Sequence, residues 1–231
     1  VNLVLLPGMD GTGVLFGPLL ESLGSQFKAR VVRYPSAEPK GYAELTALAR
    51  AELPSASPVV LLGESFSGPI AISLAASCSS RVKGLILCCS FARNPRPFFS
   101  RFRFLAGAMP VAGMPKALLS YLLLGRFATR ALRADLSDAV AQVSASAFRA
   151  RLKSVLSVNV TKELSELSIP ILYLQASCDR VVPPCAAEVV SRLNPHTRVV
   201  HLEAPHLLLQ VAPVEAARAI RTFVAEVESG V

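Results

Sequence analysis

Short apolar runs, each closed by a turn and followed by a stretch of helical spacing, recur along this chain and leave few folds open to it. Residues 1–6 form the first run. A loop, Pro7-Gly8-Met9-Asp10-Gly11-Thr12-Gly13, and a helical pattern over 15–23 that stops at Gly24 come next. Residues 29–33 form the second run, closed by Tyr34-Pro35 and followed by a helix over 42–53 that Pro54 ends. The third run, 59–62, leads into a helix over 69–77, and the fourth spans 82–88. The pattern returns late in the chain, with a run at 169–175, a helix over 185–193, a run at 198–202 and a closing helix over 213–227. Runs without polar alternation suit strands buried on both faces, as in a parallel sheet with helices on either side. The expected fold is therefore α/β, with a mostly parallel central sheet of about six strands.

Between residues 91 and 160 the alternation stops. No strand pattern is visible there; 101–108, 115–124, 126–133 and 136–156 all read as helices, punctuated by proline and glycine. A chain of 231 residues buries one sizeable core. The expected organisation is one core domain, residues 1–90 and 161–231, carrying a helical cap inserted at 91–160. Charge marks the same boundary. The segment 91–160 has eleven Lys and Arg against Asp135 and Asp138, a net +9, while the remainder has thirteen basic and fourteen acidic residues, a net −1. Within it, Pro97-Phe98-Phe99-Ser100-Arg101-Phe102-Arg103-Phe104-Leu105 interleaves aromatics with arginines, and Leu118, Leu119, Leu122, Leu123 and Leu124 add an apolar face. Two readings stand. One is an ordinary amphipathic lid; the other is an apolar tunnel under a basic rim that recruits an acidic acyl carrier or an anionic lipid surface. Nucleic acid is not an expected partner, because no recognition motif accompanies the charge.

Five cysteines, an odd number without metal-type spacing, point to a reducing compartment rather than a disulfide framework. No signal-peptide pattern is visible. Residues 106–124 come nearest to a membrane span, but Pro110, Gly113, Pro115 and Lys116 interrupt them. A cytoplasmic location is expected. The chain opens directly on a strand without methionine, consistent with upstream residues having been removed.

The stretch Gly63-Glu64-Ser65-Phe66-Ser67-Gly68 joins the third run to its helix. A serine among small residues at a strand-to-helix turn is the sequence form of a nucleophile elbow, which lifts the hydroxyl clear of the backbone. The bland alternative is a serine in an ordinary turn. Ser67 stands where the G-x-S-x-G pattern has its second glycine, and reads as a small-residue variant. The Phe66 N–H, at the helix start, lacks an intrahelical partner and is free to bind an oxyanion.

A serine hydroxyl needs a base, and the base needs an orienting carboxylate. Of three histidines, His196 precedes a strand and His201 lies within one. Only His206, in Glu203-Ala204-Pro205-His206, occupies a post-strand loop, where open α/β sheets put their sites. Asp179 follows the run at 169–175 and by itself reads equally as a turn former beside a proline. The order Ser65, Asp179, His206 favours the catalytic reading, being that of the α/β-hydrolase triad. Glu64 reads as structural, pointing away from the nucleophile.

Four pieces together carry a resemblance: the loop Leu6-Pro7-Gly8-Met9-Asp10-Gly11-Thr12-Gly13, the elbow at Ser65, Asp179 with Val181-Val182-Pro183, and His206 with Leu207-Leu208-Leu209-Gln210. Over nearly its whole length the chain resembles the α/β-hydrolase superfamily. The resemblance implies a sheet shortened at the N-terminal side and a catalytic triad of Ser65, Asp179 and His206. It also implies an oxyanion hole made by the backbone N–H groups of Met9 and Phe66. Pro7-Gly8 stands where many members have His-Gly. The implied activity is cleavage of carboxylic esters or thioesters of apolar acyl groups through an acyl-enzyme on Ser65, with no cofactor and no metal. Ser65 disfavours dehalogenase and epoxide hydrolase chemistry, which use an aspartate at the elbow. The opening loop is also similar to that of plant phytyl-ester and acylglycerol synthases. The basic cap resembles that of pimeloyl-carrier-protein methyl esterase. An acyltransferase or a carrier-protein esterase of the same fold is therefore the alternative.

Two remoter readings remain. Gly11-x-Gly13-x-x-x-Gly17 hints at a dinucleotide fingerprint, but its spacing is off and Arg33-Tyr34 stands where an acidic residue belongs. A hydrolase-like binding protein with a spent site is the other, and the filled triad positions argue against it.

Overall fold

The computed structural model describes residues 1–55, 57–97 and 115–230. Six strands, β1 (Asn2–Leu6), β2 (Lys28–Val31), β3 (Val59–Glu64), β4 (Val82–Cys88), β5 (Ile171–Ala176) and β6 (Thr197–Leu202), form one sheet in the order β2-β1-β3-β4-β5-β6. Every neighbouring pair is parallel, so the expected mostly parallel sheet is parallel throughout. Alternate residues of each strand serve opposite faces. Val4, Leu6, Val59 and Leu61 pack with α2 (Tyr42–Ala51), α3 (Gly68–Ser77) and α8 (Cys185–Leu193). Leu3, Leu5, Val60 and Leu62 pack on the other side with α1 (Gly17–Leu23) and α10 (Pro213–Ser229). The edge strand β2 keeps Lys28 and Arg30 exposed, which blunts it against pairing with another sheet.

From β1 the chain steps outward to β2, then crosses back to β3 on the other side of β1. The connections leaving β1 and β3 therefore diverge, and a crevice opens at their carboxyl ends. Leu6 of β1 lies opposite Gly63 of β3, which brings the loop of Met9 beside the turn of Ser65.

The helices between β4 and β5 depart from the sequence expectation. The helix expected over 101–108 and the aromatic–arginine stretch around it fall mostly or wholly outside the described residues. α4 (Lys116–Leu123) lies where one was expected. The expected helices at 126–133 and 136–156 are instead α5 (Arg130–Ala141) and α6 (Ala145–Ser157). Side-chain caps set both starts. The Thr129 hydroxyl accepts the Leu132 N–H at 3.2 Å, and the Ser144 hydroxyl accepts that of Ala147 at 3.1 Å. Two short helices carry no strong signal in the sequence: α7 (Thr161–Ser165) and α9 (Leu208–Val211), the latter just after His206. The helices α4 and α5 rest on Leu15 and Leu207 through Leu124, Leu136 and Ala139. Among the described residues no helix is long and apolar enough to cross a membrane.

Candidate active site

Ser65 has φ +47, in the left-handed region that a side chain occupies only under constraint. Such a residue costs ~1–3 kcal/mol and persists where its surroundings over-determine it. Those surroundings are visible. The Ser90 hydroxyl donates to the Ser65 carbonyl at 2.6 Å, and the Tyr42 hydroxyl donates to that of Phe66 at 3.0 Å. Phe66 stacks on Tyr42 at 4.7 Å between ring centres. Two glycines admit the turn. A Cβ on Gly63 would lie 2.7 Å from the Ser67 carbonyl oxygen, and one on Gly68 only 1.8 Å from the Ser90 hydroxyl.

The turn aims the Ser65 hydroxyl at His206, with Oγ 2.8 Å from Nε2. Nδ1 of the same ring is 2.8 Å from Oδ2 of Asp179. A carboxylate only accepts, so Nδ1 carries the proton and Nε2 is left as the acceptor for the serine hydroxyl. Asp179 is fixed in turn, its Oδ1 accepting the N–H groups of Val181 at 2.8 Å and Val182 at 2.9 Å. Parallel pairing of β5 and β6 runs on into the two loops. Ser177 N–H bonds the Leu202 carbonyl and Cys178 N–H that of Ala204, which registers the Asp179 loop against the His206 loop. The structure thus joins Ser65, His206 and Asp179 in one hydrogen-bonded chain at the carboxyl edge of the sheet. It leaves His196 and His201 exposed on or beside β6, outside that chain.

The family model described as serine aminopeptidase, S33, matches residues 40–209, a span that includes Ser65, Asp179 and His206. The chain belongs to this family of α/β-hydrolases. Solved structures resemble this hydrolase along nearly its whole length. One is a carboxylesterase from the ammonia-oxidizing thaumarchaeon Nitrososphaera gargenis, with TM-score 0.84 and 17% identity, covering 100% of this chain and 92% of that one. Another is a thermophilic esterase from Thermogutta terrifontis, with TM-score 0.83 and 21% identity over 98% and 90% of the two chains. A third is an enol-lactonase from Burkholderia xenovorans, with TM-score 0.80 and 17% identity over 98% and 90%. No curated protein matches in sequence.

Several residues that hold the hydrolase's site escape a local reading of the sequence. Ser67 is more than a small residue filling a glycine position. It is fully buried, and its hydroxyl donates to the Pro7 carbonyl at the start of the Met9 loop. Its single proton being so used, the Tyr34 hydroxyl 2.7 Å away must donate to it. Gly11 and Gly13 serve the same loop with φ +70 and +72. A Cβ on Gly13 would lie 2.4 Å from Val31, so these glycines answer to chain packing rather than to a phosphate. Glu64 is buried and accepts from the Gln210 amide at 3.0 Å and from the Gly8 N–H. It thereby bridges α9 to the Met9 loop. Burial pushes its carboxyl up to about 7, partly opposed by those two donors.

Arg151 of α6 was expected only as part of the basic excess, yet it is fully buried against the Met9 loop. Two other members of that excess are also engaged. Arg96 donates to the Arg180 and Val181 carbonyls, and Arg126 pairs with Glu203. Among the described residues one group of side chains is close enough to hold a metal ion: Cys89, Asp179 and His206, with ligand atoms within 4.8 Å. Two of these three already bond each other. A cleft of about 250 Å³ lies next to the His206 loop; Val14, Leu15, Leu132 and Leu207 give it an apolar wall, and Asp135 and Asp138 also line it.

Proposed function

We propose that this α/β-hydrolase cleaves carboxylic esters or thioesters of apolar acyl groups through an acyl-enzyme on Ser65. The observation that carries this reading is the chain of 2.8 Å bonds from Ser65 Oγ through the His206 ring to Asp179, starting from a serine held at φ +47. In the first half-reaction His206 Nε2 takes the Ser65 proton as Oγ attacks the carbonyl carbon. The tetrahedral oxyanion rests on the N–H groups of Met9 and Phe66. The carbon–oxygen or carbon–sulfur bond then breaks, and the imidazolium gives its proton to the leaving alcohol or thiol. Water repeats the sequence, deprotonated by His206, and releases the acid with Ser65 restored. Asp179 holds the productive tautomer throughout and stabilises the imidazolium. The apolar wall of Leu15, Leu132 and Leu207 supports an apolar acyl group. The helices between β4 and β5 act as the cap over that site.

The test is turnover of 4-nitrophenyl esters of increasing acyl length, beside an aminoacyl 4-nitroanilide, by wild type and Ser65→Ala. Esters should be cleaved well ahead of the anilide. Ser65→Ala, with its fold intact by circular dichroism, should lose at least about 10⁴-fold in kcat. Ester hydrolysis that survives in Ser65→Ala would rule the reading out, and faster cleavage of the anilide would move the substrate class to peptides.

A further inference from the structure

We infer that Arg151 is the positioning residue of the oxyanion loop, reaching from α6 to hold the backbone that presents the Met9 N–H. The inference rests on the proposed role of Ser65 and the Met9 loop. Nη1 of Arg151 donates to the carbonyls of Met9 and Asp10, both at 2.8 Å, and Nη2 donates to that of Pro35 at 2.9 Å. One planar guanidinium thus fixes two successive peptide planes after Met9 and ties them to the chain after β2. Those planes flank Asp10 and set its backbone angles; the preceding plane, which carries the Met9 N–H, is tied to them because its Gly8 carbonyl accepts the Gly11 N–H at 3.0 Å.

The surroundings are built for this group. The Arg151 side chain has no exposed surface, and its carbon Cζ lies 5.8 Å from the centre of the Tyr34 ring. Position 11 must be glycine for the arginine to fit, because a Cβ there would stand 2.7 Å from Nη1. The Gly11 carbonyl is held from the other side by the Tyr34 N–H at 2.8 Å. Among the described residues no carboxylate bonds the guanidinium; Asp10 acts on it through its charge. Burying a cation without a bonded anion is costly, and its Nε finds no partner among the described residues. Ala147 is buried one turn earlier on the same face of α6, and Val155 packs against the core one turn later. An apolar residue at 151 would continue that stripe without the cost. What offsets the cost is the capture of the loop carbonyls. These partners are separated by 141 and 142 residues for Asp10 and Met9, so the oxyanion hole is completed only when α6 docks. The helical segment is on this view a working part of the catalytic apparatus as well as its cover.

The experiment compares wild type, Arg151→Met and Arg151→Lys. It reads kcat and KM for a 4-nitrophenyl ester, and the affinity of an alkyl boronic acid, whose adduct on serine places a negative oxygen in the hole. Arg151→Met should lose on the order of 100-fold in kcat, as expected for a displaced oxyanion donor. KM should change by less than about threefold, and boronate affinity should weaken in step with kcat. Arg151→Lys, which keeps the charge but not the fork, should fall between the two. In Arg151→Ala, added guanidinium chloride should restore part of the activity and sodium chloride should not. A kcat within about threefold of wild type in Arg151→Met would overturn the inference. So would a loss confined to thermal stability and KM with boronate affinity unchanged. Should Arg151→Met not fold, the same readouts in Arg151→Lys decide, and unaltered boronate affinity and kcat there would overturn it equally. A wild-type enzyme inert to both ester and boronate would instead sink the Ser65 reading, and this inference with it.

Discussion

The elbow at Ser65 and the helices between β4 and β5 are held in place by different means. At the elbow, the fully buried strand β3 leads into the turn and two glycines admit it. Hydroxyls of Ser90 and Tyr42 tie its backbone to the loop after β4 and to α2, and that of Ser67 ties it to the Met9 loop. Every neighbour restricts the same few angles, so the strained serine has nowhere else to go. The helices rest more lightly. α4 and α5 meet the core through a small group of leucines, and α6 through buried Ala147 and Arg151 with Val155 packed beside them. Rigidity is thus concentrated where a hydroxyl must be aimed. Among the described residues of the helical segment, Arg151 is the side chain that bonds the Met9 loop.

The sharpest way to break this contrast is at Gly68. Its backbone is helical, φ −57 and ψ −48, so alanine is conformationally acceptable there. Its Cβ, however, would fall 1.8 Å from Oγ and 2.8 Å from Cβ of Ser90. Rotating the hydroxyl away relieves the first clash, breaks the bond to the Ser65 carbonyl and leaves the second. Gly68→Ala should therefore cost about 3–4 kcal/mol in urea unfolding and lower kcat sharply. Exposed Arg133 of α5 is the matched control in the helical segment, and Arg133→Ala should stay within ~0.5 kcal/mol. Equal losses for the two would dissolve the distinction.

A smaller effect separates Glu64 from the rest of the elbow. Its carboxyl is raised by burial from 4.5 to about 7 in the folded chain. The stability tied to its protonated form is fully present below the unfolded value and is lost as pH rises through the folded one. Between roughly pH 4.5 and 7 wild type should therefore lose up to about 3 kcal/mol relative to Glu64→Gln, which does not titrate. Melting temperatures across that range should diverge in favour of Glu64→Gln as pH rises. Parallel curves would mean that Glu64 titrates normally.

The same contrast explains what the sequence made legible. The strand-turn-helix at Ser65 is written in neighbouring residues, as are the post-strand positions of Asp179 and His206, so local rules reach them. The sheet was legible because its inner strands are apolar and buried on both faces over most of their length. The helical segment was less so. The Ser144 cap that splits α5 from α6 is one polar residue inside a long amphipathic pattern, and helical spacing continues smoothly across it. Arg151 was hidden for a related reason. Its partners at Met9 and Asp10 lie on the far side of the chain, and charge counting treats every arginine as solvated. A trace was there: Arg151 falls in the stripe of Ala147 and Val155, where a helix facing the core normally carries an apolar residue. The role of Ser67 was hidden too, because the elbow pattern asks only for a small residue and says nothing of the hydroxyl that reaches Pro7.

The central claim is that Ser65 is an activated nucleophile, and active-site labelling followed by peptide mass mapping tests it without knowledge of the natural ester. Folded wild-type protein should take up one fluorophosphonate, on Ser65, and His206→Ala should react far more slowly. A folded wild type that stays unlabelled, or carries the label on another serine, would contradict the account.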